Sequence, residues 1–413
     1  MSRQESSVVS VIVVILLFGP ILDNVLGAMN VNLLAEGSLL NRLSVVLTAV
    51  LCLPKVFEAA AYHWRRLRKV DVALLGYVVL HLIGTVGGIG IEDVSNLVRL
   101  LLCFYLVAYV LRRSRGVIRM SKAVVVGVAV YQLWLLLMLP ALMQAGRLAY
   151  AAGGHANILA RDLVALFILL VIITQMKEVF GRQLRRIAMI ELVGIVLFLF
   201  LTGSRQGLIL GVFASLAFRD LARGRIDLWR TVKRLVSAVA VALVGFAVLI
   251  VIVQYAGGEQ SSRFLSLPFD ENAERLVRYQ VYGLYAYNNF GTLLFEGVNI
   301  AELFGDVERY EGVKLGAPHN MFLNVAVERG IAASVAYGVV HFFLIREVIP
   351  VHNASDGTWS SLFVAALGSI FLIAQVSNFM PQVSDPLAYF YYAVAGMYVN
   401  AVRDSEYQTG SGG

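Results

Sequence analysis

Apolar and polar residues alternate along this chain in long blocks, and apolar runs of membrane-spanning length are repeatedly interrupted by short charged segments. A helix that crosses a bilayer needs roughly 20 predominantly apolar residues. On that ruler the sequence predicts about twelve transmembrane helices, near 8–28, 38–58, 70–88, 94–111, 123–142, 157–176, 187–202, 206–219, 235–254, 328–348, 358–377 and 387–402. One segment breaks the rhythm. Residues 255–327 form the one long polar stretch, and the helix formers of Asn272–Tyr287 predict a helix inside it, interrupted at Gly283, Asn288-Asn289 and Gly291. The expected organisation is transmembrane helices 1–9 over residues 1–254, a loop over 255–327, helices 10–12 over 328–403 and a tail over 404–413. The Gly-Ser-Gly-Gly end of that tail resembles an expression scar. The apolar run that begins at Val8 lacks a small-residue cleavage site, so it reads as a first span and not as a signal peptide.

Composition fixes the class. The chain is 59% hydrophobic and only 15% charged, with a mean hydropathy of +0.76, whereas soluble proteins average about 45–50% apolar and about 25% charged. It reads as an all-α polytopic membrane protein with one large, partly helical loop. The net charge of +7 is then no nucleic-acid signal, because cytoplasmic loops of membrane proteins are enriched in Lys and Arg. Basic clusters follow the second span (Arg65, Arg66, Arg68, Lys69), the fourth (Arg112, Arg113, Arg115), the sixth (Arg182, Arg185, Arg186) and the eighth (Arg219, Arg223, Arg225). The positive-inside rule sends all four, and both termini, to the cytoplasm. The long loop is thereby expected on the outer face, the periplasm in a bacterium. Cys52 and Cys103 lie within apolar runs and imply neither a disulfide nor a thiolate metal site.

The outer face carries charge near membrane depth at Arg99, Arg147, Arg161, Arg205 and Asp385. Such groups mark functional sites unless they snorkel or pair internally. Asp93 and Asp162 are available to Arg99 and Arg161, whereas Arg205 has no acid near it in sequence. The loop adds Arg263, Arg275 and Arg278, the last two at the three-residue spacing of one helix face. Its tyrosines (Tyr279, Tyr282, Tyr285, Tyr287) match an interfacial belt, for which packing is the ordinary role. Arginines without acids suit phosphorylated or carboxylated ligands, since the guanidinium fork grips such oxygens bidentately. No metal-ligand spacing, P-loop or nucleophile elbow occurs. His319 follows Pro318 and precedes a helix expected to start near Asn320, a position that suits either a general base or a capping histidine. His81 and His341 are expected to be buried in spans, His63 and His352 to be cytoplasmic, and His155 is a weaker outer candidate.

His319-Asn320, nine residues and Gly330 together resemble the His-Asn-x9-Gly signature of the bacterial O-antigen ligase and polymerase family. Ala333 departs from it, standing where Gly, Thr or Tyr is usual. Similar to that family as well are Gly203-Ser204-Arg205-Gln206-Gly207, Arg263-x3-Leu267, and Gly146-Arg147 leading into Gly154-His155-Ala156-Asn157, so the resemblance covers nearly the whole chain. It implies a GT-C-like glycosyltransferase of the bacterial inner membrane with its active site on the periplasmic face. Such an enzyme moves O-antigen glycan from undecaprenyl diphosphate to lipid A–core oligosaccharide in lipopolysaccharide biosynthesis, without cofactor or metal. The implied roles are His319 as base, Arg205 with Arg263 and one of Arg275 or Arg278 on the diphosphate, and Asn320, Arg147, Arg161 and Asp385 in acceptor binding or support. Implied partners are the lipid-linked donor, the lipid acceptor and membrane lipids, with no nucleic acid; a monomer is the expectation, although the sequence leaves the oligomeric state open. An O-antigen polymerase is the alternative within the family. A transporter for an anionic lipid or solute is the alternative outside it, since broken spans with intramembrane arginines suit that role too.

Overall fold

A computed structural model describes residues 39–85, 91–111, 114–144, 147–149, 156–177, 179–204, 269–298, 320–354, 358–374 and 386–410, with the isolated positions Gly19, Ile21, Val25, Gly207, Gly211 and Lys233. The described chain is helical except for one two-residue hairpin. In order it forms α1 (Leu39–Leu51), α2 (Leu53–Trp64), α3 (Lys69–Ile83), α4 (Ile91–Leu101), a π-helical stretch (Leu102–Val107), α5 (Ala108–Leu111), α6 (Ser114–Leu137) and α7 (Leu139–Leu142). Strands β1 (Met143–Gln144) and β2 (Arg147–Leu148) pair antiparallel. There follow α8 (Ala156–Gln175), α9 (Arg182–Thr202), α10 (Phe269–Asn288), α11 (Phe290–Leu293), α12 (Met321–Arg329), α13 (Ile331–Ala354), α14 (Thr358–Ala374) and α15 (Pro386–Gly410).

Among the described residues three helices are long and apolar enough to cross a membrane: Asp93–Val110, Ala156–Gln175 and Ile331–Pro350. Val45–Leu51 and Leu53–Trp64 make a fourth if taken together, bent by 81°. That bend corrects the straight span expected over 38–58. Pro54 at the start of α2 lacks the N–H that a continuous helix needs, so the chain turns at Cys52. The expected tenth span also begins later than predicted, since Gly330 separates α12 from α13. The expected spans near 206–219 and 235–254, and most of 8–28, lie outside the described residues.

Outward-facing side chains support the membrane assignment. Val126, Val130, Leu133 and Leu137 on α6, Ile190, Val193 and Leu197 on α9, and Val335, Phe342 and Ile345 on α13 are all exposed. Apolar surface this extensive is covered by lipid or protein. Inside, α8 is buried along most of its length and packs against α9, α14 and α15, while α13 lies along α3.

Helix α3 connects two polar ends. At its start, Arg68 pairs with Glu347 at 2.8 Å, Arg66 with Asp404 at 3.3 Å, and Arg403 with Asp71. Residue 404 is therefore part of α15 and of the packed end, where the sequence predicts a tail. At its finish, the Gly84 carbonyl accepts the Gly297 N–H at 2.9 Å, beside the Arg329–Asp93 pair. Fifteen helical residues at about 1.5 Å each separate the two ends by about 22 Å.

Candidate functional site

From Asn320 to Gly330 the His-Asn-x9-Gly run is one capped helix. Asn320 has extended backbone (φ −138°, ψ 126°), and its side-chain oxygen accepts the N–H groups of Phe322 and Leu323, both at 3.1 Å. This satisfies two of the donors that every helix start leaves orphaned. Nine helical residues follow, and Gly330 ends the helix at φ +91°. A side chain is strained there whatever the space. Space is short too, because a Cβ on Gly330 would stand 2.9 Å from the Phe295 carbonyl carbon. The spacing in the motif is thus the length of α12.

Three backbones meet around that helix. Val298 N–H bonds the Val327 carbonyl at 2.7 Å and Ala332 N–H bonds the Leu294 carbonyl at 2.9 Å. Gly84 and Gly297 allow the approach: a Cβ on either would fall within 2 Å of a carbonyl oxygen, that of Arg329 or of Glu328 respectively. Gly84 therefore has a packing role.

The loop helix α10 docks on α12 through Tyr282, which is fully buried against Val327 with Val298 and Leu323 beside it. Gly283 lies inside α10 and does not break it, contrary to the sequence expectation. Burial pushes the Tyr282 phenol up to about 12, with the Arg278 charge pulling it down and Glu328 pushing it up. Half-buried Arg278 and the α12 carboxyl therefore share one electrostatic neighbourhood. Arg275 lies one turn earlier on the same helix.

Glu328 and Arg329 are the residues that sequence reasoning missed. Burial holds the Glu328 carboxyl up at about 7, against the pull of Arg329 and of an Asn324 side-chain hydrogen bond, and Asp93 adds to the rise. Arg329 donates to Asp93 at 2.5 Å. Asp93 is thus paired with Arg329, where the sequence had offered it, together with Asp162, to Arg99 and Arg161. The only local signal was a Glu-Arg dipeptide at the mouth of a glycine-terminated apolar helix. Chemically, this end presents a carboxyl that gains or loses a proton near neutrality beside the Arg329 guanidinium, with Arg278 and Tyr282 on the neighbouring helix.

A second anchor concerns the Gly203–Gly207 break. Helix α9 ends at Thr202, Gly203 is left-handed (φ 60°), and Ser204 Oγ donates to Asn157 Oδ1 at 2.9 Å. A Cβ on Gly207 would come within 2.9 Å of the Ala160 methyl. The residues on either side of the break are thereby tied to the first turns of α8, which carry half-buried Arg161 and buried Asp162. Arg147 lies in β2, opposite Gln144. Arg99 is buried, with its guanidinium 4.9 Å from the Tyr389 ring centre. His81 and His341 are buried within helices as expected, and His63 and His352 are buried too. Arg205, Arg263, His319, Asp385 and His155 lie outside the described residues. Among the described residues no group of three His, Cys, Asp or Glu side chains is placed to hold a metal ion. No protein-family model and no curated protein matches the chain.

Proposed function

We propose that the chain is an O-antigen ligase: a GT-C-type inverting glycosyltransferase that works at the outer face of the bacterial inner membrane. It transfers O-antigen glycan from undecaprenyl diphosphate to lipid A–core oligosaccharide. What supports this is the capped helix Met321–Arg329, which begins directly after His319-Asn320 and is clasped through Tyr282 to the helix carrying Arg275 and Arg278. The helix that follows the signature residues and the helix that carries two of the candidate diphosphate arginines thus pack against each other.

In the proposed reaction the acceptor hydroxyl oxygen attacks the anomeric carbon from the face opposite the diphosphate. A new C–O glycosidic bond forms, the bond from that carbon to the diphosphate oxygen breaks, and configuration inverts. His319 takes the hydroxyl proton. Undecaprenyl diphosphate leaves with the bonding electron pair, and Arg205, Arg263 and either Arg275 or Arg278 stabilise the charge that grows on it. Losing one such donor typically slows transfer about 100–1000-fold. Arg147, Arg161 and Asp385 are assigned to the acceptor or to holding the loop. Asn320 acts through the cap that starts α12.

The test is to incubate the purified protein with lipid-diphosphate-linked glycan, lipid A–core acceptor and EDTA. The expected product is glycosylated core, with free undecaprenyl diphosphate released in equal amount. Glycan lengthened on the lipid carrier would point to a polymerase. Both substrates recovered covalently unchanged would favour transport, and activity lost to EDTA and restored by magnesium would contradict the metal-free scheme.

A further inference from the structure

At the opposite end of α3 a cavity of about 570 Å³ opens between the α2–α3 turn, α13 and α15. Five cations line it (Arg66, Arg68, Lys69, Arg346 and Arg403) against a single acid, Glu347. Three of the cations are held by carboxylates, Arg68 by Glu347, Arg66 by Asp404 and Arg403 by Asp71. Lys69 and Arg346 are exposed and have no carboxylate partner among the described residues. The cavity thus keeps a net positive charge after its internal pairs are counted.

Its wall is fixed from behind. Arg403 is only 2% exposed, and it also donates to Asn400 Oδ1 at 2.9 Å and to the Arg66 carbonyl at 3.1 Å. This knot joins α15 to the turn that carries Arg66, Arg68 and Lys69, so the cations are presented by a packed framework and not by a loose loop. The approach is apolar. Trp64, 71% exposed, ends α2 two residues before Arg66, and exposed Phe342 and Ile345 alternate along α13 with the lining residues Phe343 and Arg346. Exposed apolar side chains beside a tryptophan at a helix end are the surroundings of the lipid headgroup boundary.

We propose that this cavity binds the phosphate of an anionic phospholipid, with Lys69 and Arg346 gripping the oxyanion and the acyl chains running over Phe342 and Ile345. Arginine and lysine suit phosphate as a bidentate fork and a point charge respectively. Basic pockets between membrane helices are a known way of holding such headgroups. The inference does not depend on the proposed transferase activity.

To test it, the full chain in neutral detergent micelles is titrated with brominated phosphatidylglycerol or brominated phosphatidylcholine. Quenching of Trp64 is read as the difference from a Trp64→Phe variant. Phosphatidylglycerol should quench at clearly lower concentration. Replacing both cations (Lys69→Gln with Arg346→Gln) should weaken its binding about 30-fold, about fivefold for each charge. The swap Lys69→Arg with Arg346→Lys keeps the charge and should keep the preference, which separates loss of binding from loss of fold. Equal quenching by the two lipids, or an unchanged preference in the double glutamine variant, would overturn the proposal. So would displacement of the lipid by inorganic phosphate at matching concentration, which would assign the cavity to free anions.

Discussion

Replacing Glu328 with Gln removes the one ionisable carboxyl of α12 while keeping its shape and its capacity to accept a hydrogen bond from Asn324. In the folded chain burial holds this carboxyl at about 7, against an ordinary value of 4.5. That difference corresponds to up to about 3 kcal/mol. The folded state binds the Glu328 proton more tightly than the unfolded chain, so its contribution is fully present below about pH 4.5 and is lost as pH rises through about 7. Glutamine never ionises and incurs no such loss. Thermal unfolding of the purified wild type and Glu328→Gln, compared in the same micelles from pH 5 to pH 8, should give similar midpoints at the acid end. The variant should then become increasingly the more stable of the two as pH rises toward about 7, and keep a steady lead above it. An infrared titration should show a protonated-carboxyl band that disappears with a midpoint near 7 in the wild type and is missing from the variant. Parallel unfolding profiles, together with a carboxyl titrating in the ordinary range, would refute the claim that packing of α10 and α3 around α12 desolvates Glu328.

Three further outcomes are expected. Gly330→Ala places a side chain at φ +91° and 2.9 Å from the Phe295 carbonyl carbon, so the protein should lose about 1–3 kcal/mol from backbone strain alone; an unchanged melting midpoint would count against the junction described. Asn320→Ala should cost about 1 kcal/mol, and Asn320→Asp much less because a carboxylate still caps the two N–H groups; equal losses in both variants would exclude capping as the role of Asn320. Arg205→Lys should lose most of the transfer activity, since an ammonium cannot reproduce a bidentate grip on a diphosphate, and a rate equal to wild type would remove Arg205 from the donor site.

What could be read in advance follows from the range of each signal. Asn320 and Gly330 announce their roles locally, one as a cap and the other as a terminator, and the helix between them needs no tertiary information. The helix in the loop was legible for the same reason. Gly283 misled because a glycine inside a helix costs only about 1 kcal/mol, which docking through Tyr282 offsets. Asp93 and Arg329 are 236 positions apart, and no periodicity connects them. The need for glycine at 84 and 297 is equally hidden, being set by backbones that approach from distant parts of the chain. Glu328 carries no local mark of its burial, and its desolvation comes entirely from packing. The bend at Cys52 had a visible cause in Pro54, which the length criterion for spans overrode.

The most direct test of the central claim is a single-turnover assay of glycan transfer from undecaprenyl diphosphate to lipid A–core, comparing wild type with His319→Ala while donor binding is measured in parallel. The account predicts that the variant binds donor nearly as well as wild type and transfers almost nothing. Normal transfer by His319→Ala would contradict it.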